Sequence, residues 1–173
     1  VKNSIVTIPQ ENRSMLIVTT GGTIDKVYFD AKSDYEVGKT IIGSLLEQAQ
    51  VHYPFEILEL LQKDSLEITA KDREKIRTAI MQAKQSQIVI THGTDTMTNT
   101  AHHLADIKDK TIVLTGSLAP ARFAMTDAMF NIGMAVSAAQ TLDQGVYIAM
   151  NGQIFPAENV TKNLDLNRFE RNL

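Results

Sequence analysis

Cysteine is absent from all 173 residues. Disulfides, thiolate zinc centres and cysteine nucleophiles are therefore excluded, and the balance leans toward a reducing compartment. Long apolar runs are missing as well. Stretches such as Ile88 to Ile90 fall far short of the roughly 20 residues that span a bilayer. The opening segment, residues 1–13, is polar and carries no hydrophobic region of the signal-peptide kind. Basic charge is spread along the chain, and the net charge is −3, so the clustered Lys and Arg that phosphate backbones require are not there. Neither G-x-G-x-x-G nor G-x-x-x-x-G-K-[ST] occurs, so no nucleotide-binding fingerprint is present. Internal repeats, low-complexity tracts and linkers are lacking too. The expectation is a soluble, cytoplasmic protein with neither nucleic acid nor membrane as partner.

What remains is an ordinary globular composition, 43% hydrophobic and 21% charged, in a chain of one-domain length. Short β-branched runs at residues 15–19, 55–60, 87–91, 111–115 and 146–150 alternate with stretches of helical period at 40–50, 70–84, 96–107 and 127–141. That alternation predicts an α/β fold, a single doubly wound, flavodoxin-like, mostly parallel sheet with helices on both faces. In the second of these helices Ile76, Ala79, Ile80 and Ala83 form one apolar stripe. Thr69 stands at its N-cap position with Asp72 three residues on, a capping-box spacing. Residues 152–173 read as a short strand followed by a loop and tail.

Ligands of open α/β sheets bind beyond the carboxyl ends of the strands, which directs attention to the residues after each run. Two of these strand ends stand out. The first run leads into Thr20-Gly21-Gly22-Thr23-Ile24-Asp25, the third into His92-Gly93-Thr94-Asp95-Thr96. Glycine lets the backbone turn sharply and approach a ligand, and threonine supplies hydroxyls that donate, accept or attack. Taken alone, Thr-Gly-Gly-Thr suits a tight turn as well as a catalytic loop.

The two segments in combination resemble the paired signatures of the L-asparaginase amidohydrolases. The likeness extends to Ser33-Asp34-Tyr35-Glu36-Val37-Gly38-Lys39, similar to the family's mobile loop, to Asp64-Ser65, and to Val160-Thr161-Lys162, covering residues 15–162. The resemblance implies that Thr23 is the primary nucleophile, Tyr35 its hydroxyl partner on a lid of residues 22–34, and Thr94 a second hydroxyl linked to Asp95 and Lys162. Which threonine is acylated first stays open. It also implies a substrate-binding set of Gly22, Ser65, Gly93, Thr94 and Asp95, with Ser65 and strand-end N–H groups taking a carboxylate and Asp95 an ammonium. No cofactor or metal is implied. Assembly as a homo-oligomer, dimer or tetramer, follows from the resemblance, as does hydrolysis of asparagine, with glutamine second.

A threonine hydroxyl is a weak nucleophile and needs a neighbour to accept its proton. Lys162 can do so only as a neutral amine, which burial favours and Asp95 opposes. Two departures from the family stand out: Leu66 replaces a polar residue after the serine, and the chain ends at Leu173 where family members continue into another domain. The expectation is one N-terminal-type domain, 1–173, without the usual C-terminal domain; the alternative is a non-catalytic module that binds an amino acid or amide or serves in interaction with a partner. Among the bystanders, His92 at the end of a buried strand reads as structural. His52, His102 and His103 lack metal-ligand spacing. Asp25 and Lys26 read as a solvated part of the lid.

Overall fold

The computed structural model describes residues 14–30 and 33–172. The polar opening segment, two positions of the expected lid and Leu173 lie outside the described residues. The elements run β1 (Met15–Gly21), β2 (Lys26–Phe29), β3 (Asp34–Val37), α1 (Ile42–Gln48), β4 (Phe55–Lys63), α2 (Ala70–Gln82) and β5 (Gln87–Thr91), then α3 (Met97–Leu104), β6 (Thr111–Thr115), α4 (Ala128–Thr141), β7 (Gly145–Met150), β8 (Gln153–Pro156), β9 (Thr161–Asn163) and β10 (Arg168–Glu170).

The main sheet has the order β4-β1-β5-β6-β7-β8. Its first five strands are parallel, and β8 folds back antiparallel onto β7. Counting only the parallel strands in chain order gives 2-1-3-4-5, the flavodoxin-like arrangement. All five expected strands are present. Side chains alternate across the pleat, so β1 sends Leu16 and Val18 to one face and Met15 and Ile17 to the other. The first face packs on Ile76 and Ile80 of α2 and on Met97, Ala101 and Leu104 of α3. The second packs on Ile42, Leu45 and Leu46 of α1 and on Ala128, Ile132, Ala135 and Ala139 of α4. Two apolar layers enclosing the sheet make it doubly wound.

The expected capping box at α2 is formed in both directions. Asp72 N–H donates to Thr69 Oγ1 at 3.3 Å, and Thr69 N–H donates to Asp72 Oδ2 at 2.9 Å. Two stretches differ from expectation. The segment expected to form a lid holds a hairpin, in which β2 pairs antiparallel with β3 and Tyr28 lies opposite Tyr35. Residues 152–173 hold three strands rather than one: β8 extends the main sheet, and β9 with β10 makes a second hairpin carrying Lys162 opposite Phe169. Buried Phe169 anchors that hairpin in the core.

Candidate active site

Strand order reverses between β1 and β5, which run side by side with Thr19 opposite Thr91. The two glycine loops therefore leave the sheet next to each other. The Thr20 hydroxyl donates to Thr91 O at 2.8 Å, and Gly22 N–H donates to Lys63 O at 2.9 Å, tying the first loop to the strands on either side of it. Contact between the loops is backbone on backbone. A Cβ on Gly22 would lie 2.4 Å from Gly93 N, and one on Gly93 would lie 2.6 Å from Ser65 Cβ. Only glycine fits at either point. The Thr96 hydroxyl donates to Ser65 O at 2.7 Å and fixes the third loop in place.

Beside Gly93, Lys162 Nζ donates to Thr94 Oγ1 at 2.8 Å and to Asp95 Oδ1 at 2.5 Å. The Lys162 side chain is only 6% exposed, whereas that of Asp95 is 42% exposed. One carboxylate oxygen thus holds the lysine while the group as a whole still meets solvent. Six of the expected residues, Gly22, Ser65, Gly93, Thr94, Asp95 and Lys162, form one contiguous group. Thr23 follows Gly22 directly, is half-buried, and makes no side-chain hydrogen bond to another described residue. Tyr35 stands on the hairpin, 44% exposed, with its ring edge-on to Tyr28 at 5.4 Å and to Phe123 at 5.8 Å. Phe123, in the loop between β6 and α4, is a contact that sequence reasoning missed.

Asp25 corrects an expectation. It is not solvated but 1% exposed, and it clasps the base of the hairpin. Its main-chain oxygen accepts from Gly38 N–H and its carboxylate from Ile41 N–H, both at 2.9 Å. Burial pushes the carboxyl up from its ordinary range, against the Ile41 N–H and the Thr40 hydroxyl, which favour the charged form. Lys26 reaches instead to Asp64 at 2.9 Å, linking the hairpin to the Ser65 loop.

His92 is fully buried. Its Nδ1 lies 2.7 Å from Gly93 O and its Nε2 lies 2.8 Å from Thr100 Oγ1, a structural setting. Burial lowers its pKa to about 4, Gly93 O pulling the other way and Arg73 adding to the depression. Because the folded value lies below the ordinary 6.5, the unfolded chain takes up this proton first on acidification. The contribution to stability is complete above pH 6.5 and is lost as pH falls toward 4. It amounts to about 2 kcal/mol between pH 7 and pH 5. Urea unfolding at those two pH values should show a fall smaller by about that amount in His92→Gln than in wild type; equal falls would contradict the assignment.

Among the described residues no group of three or more His, Cys, Asp or Glu is placed to hold a metal ion, and no helix is long and apolar enough to cross a membrane.

Comparison with known proteins gives a consistent picture. Residues 14–169 match the family described as "Asparaginase, N-terminal". A glutaminase-asparaginase of Acinetobacter glutaminasificans is 32% identical over 167 residues, 88% of this chain and 50% of that protein. The L-asparaginase of Thermococcus kodakarensis is 32% identical over 170 residues. The solved structure of the thermostable L-asparaginase from that organism superposes with a TM-score of 0.78, covering 91% of this chain and 51% of the other at 29% identity. L-asparaginase I of Vibrio cholerae gives the same TM-score at 25% identity, over 94% and 52%. The chain spans about half the length of the curated relatives it matches.

Proposed function

Because this chain belongs to the asparaginase family, matching its N-terminal domain, we propose that it hydrolyses the side-chain amide of L-asparagine to L-aspartate and ammonia. The reaction runs through an acyl-enzyme on threonine, with weaker action on L-glutamine. The observation that carries this reading is a nearly buried lysine bound at once to Thr94 and Asp95, beside two glycine loops that meet backbone to backbone at the switch point. A turn needs no such lysine.

In the proposed reaction Thr23 Oγ1 attacks the amide carbon. Its proton passes by way of the Tyr35 hydroxyl to the departing nitrogen, the C–N bond breaks, and ammonia leaves an ester on Thr23. Water then adds to the ester carbon, the bond to Oγ1 breaks, aspartate departs, and the threonine regains its proton. Thr23 is favoured as nucleophile because its hydroxyl is engaged by no other described residue. Thr94 Oγ1 already accepts a hydrogen bond from Lys162, which lowers its electron density and suits it to orient the hydrolytic water instead. Negative charge on the amide oxygen falls to backbone N–H groups of the glycine loops, each worth about 3 kcal/mol when well placed.

For recognition, Ser65 and neighbouring N–H groups take the substrate carboxylate, and the outer oxygen of Asp95 takes its ammonium. The β2–β3 hairpin serves as the lid that excludes bulk water. A homo-oligomeric assembly and a cytoplasmic location belong to the same proposal and are read by sedimentation and cell fractionation. The activity itself is tested by ammonia release from asparagine and glutamine. Purified protein should release ammonia and aspartate in equal amounts, faster from asparagine; binding of asparagine without ammonia would instead assign an amide-binding module.

A further inference from the structure

His92 takes no part in the proposed chemistry, yet it lies in a buried chain of hydrogen bonds whose direction is fixed from both ends. At one end Arg73 Nε, on α2, lies 3.1 Å from Thr100 Oγ1, and arginine can only donate. At the other end Gly93 O, 2.7 Å from His92 Nδ1, can only accept. The ring proton must therefore sit on Nδ1. A neutral imidazole has one such proton, so Nε2 is an acceptor and the Thr100 hydroxyl, at 2.8 Å, gives it its proton. That leaves the Thr100 lone pairs for Arg73, which is the direction required at the first end. The proton order is Arg73 to Thr100 to His92 to Gly93. His92 and Thr100 are both 0% exposed, and the low pKa of His92 is in keeping with the neutral ring.

We propose that Arg73 and Thr100 are positioning residues which act through His92 to hold the Gly93–Thr94 peptide in the orientation the site requires. Gly93 has no side chain with which to fix itself, and its Cα faces Ser65 with no room to spare. Its carbonyl is the remaining handle. In a planar trans peptide the carbonyl and the following N–H point in opposite directions, so holding Gly93 O also aims the Thr94 N–H. The next atoms along the chain are those of Thr94, whose hydroxyl must stay within reach of Lys162. A cationic donor at the head of the chain strengthens each bond after it, because hydrogen bonds in series polarise one another. The three residues come from α2, α3 and the position just after β5, so the device couples helix packing on one face of the sheet to the geometry of a loop at the carboxyl ends of its strands.

The catalytic part of this inference rests on the amidase reading, and the structural part does not, so the test has two arms. In the first, side-chain 15N spectra at pH 7 should show His92 as the Nδ1–H tautomer. Thr100→Val should shift the Gly93 carbonyl and Thr94 amide signals, while Thr100→Ser leaves them in place. In the second, Thr100→Val should lower kcat for ammonia release about tenfold with KM changed less than twofold, Thr100→Ser should restore it, and Arg73→Met should fall between. Should Thr100→Val fail to fold, Arg73→Met, altered at the margin of the protein, carries both arms. A wild-type protein that releases no ammonia would sink the amidase reading alone and leave the spectra to decide the inference. An Nε2–H tautomer in wild type would overturn it. So would Gly93 and Thr94 signals, or a kcat, unmoved in Thr100→Val and Arg73→Met.

Discussion

Replacing Lys162 with methionine should lower kcat for ammonia release from asparagine at least a hundredfold while leaving the protein folded. The side chains are similar in length, so methionine fills the space, but the Nζ donor to Thr94 Oγ1 and Asp95 Oδ1 disappears. Thr94 and Asp95 then lose the group that fixes their bearing toward the proposed substrate. A loss of the order of a hundredfold is that expected when one catalytic group is removed. The stability cost should be small, about 1 to 2 kcal/mol. Asp95 is 42% exposed and regains water, unlike a carboxylate abandoned in a core. Urea unfolding beside the ammonia assay separates the two effects; a large loss of stability with normal kcat would contradict the role given to this residue.

The second large effect is expected at Gly22. Its φ is +86°, a region L side chains rarely occupy, and an added Cβ would sit 2.4 Å from Gly93 N and 2.5 Å from Gly93 Cα. Neither neighbour is a flexible side-chain end. To admit alanine the two loops must move apart, and Thr23 and Thr94 move with them. Backbone strain and overpacking together should destabilise Gly22→Ala by about 3 kcal/mol. Activity should fall at least a hundredfold, since a displacement of about 1 Å can cost that much. Gly133→Ala is the control: nothing lies within 4 Å of its added Cβ, and in mid-helix it should be neutral or slightly stabilising. Thermal unfolding and ammonia release on both variants check the pair.

The parts of the fold that were legible in the sequence are those fixed by local pattern. Five β-branched runs separated by helical stretches gave a parallel sheet, and the Thr69 and Asp72 spacing gave a cap that the structure forms. The hairpin of Lys162 was not legible, because β9 and β10 are three residues each and are held by Phe169 reaching the core, a tertiary contact with no periodic signature. Asp25 was misread for a related reason: its partner, the Ile41 N–H, is supplied by chain folding back across the hairpin. For the site, the glycine pair announced a turn, but its contact with Gly93 becomes visible only once β1 and β5 are neighbours. The Arg73, Thr100 and His92 chain joins residues on three elements, and no spacing in the sequence encodes it. The role of Lys162 came from resemblance, and the geometry now supplies a physical reason to test it.

The measurement that bears most directly on the amide chemistry is ammonia release from asparagine by wild type, Thr23→Ala and Thr94→Ala under identical conditions. The account predicts steady release by wild type and a reduction of at least a hundredfold in each variant, with all three folded by circular dichroism. Equal release by the three proteins would contradict it.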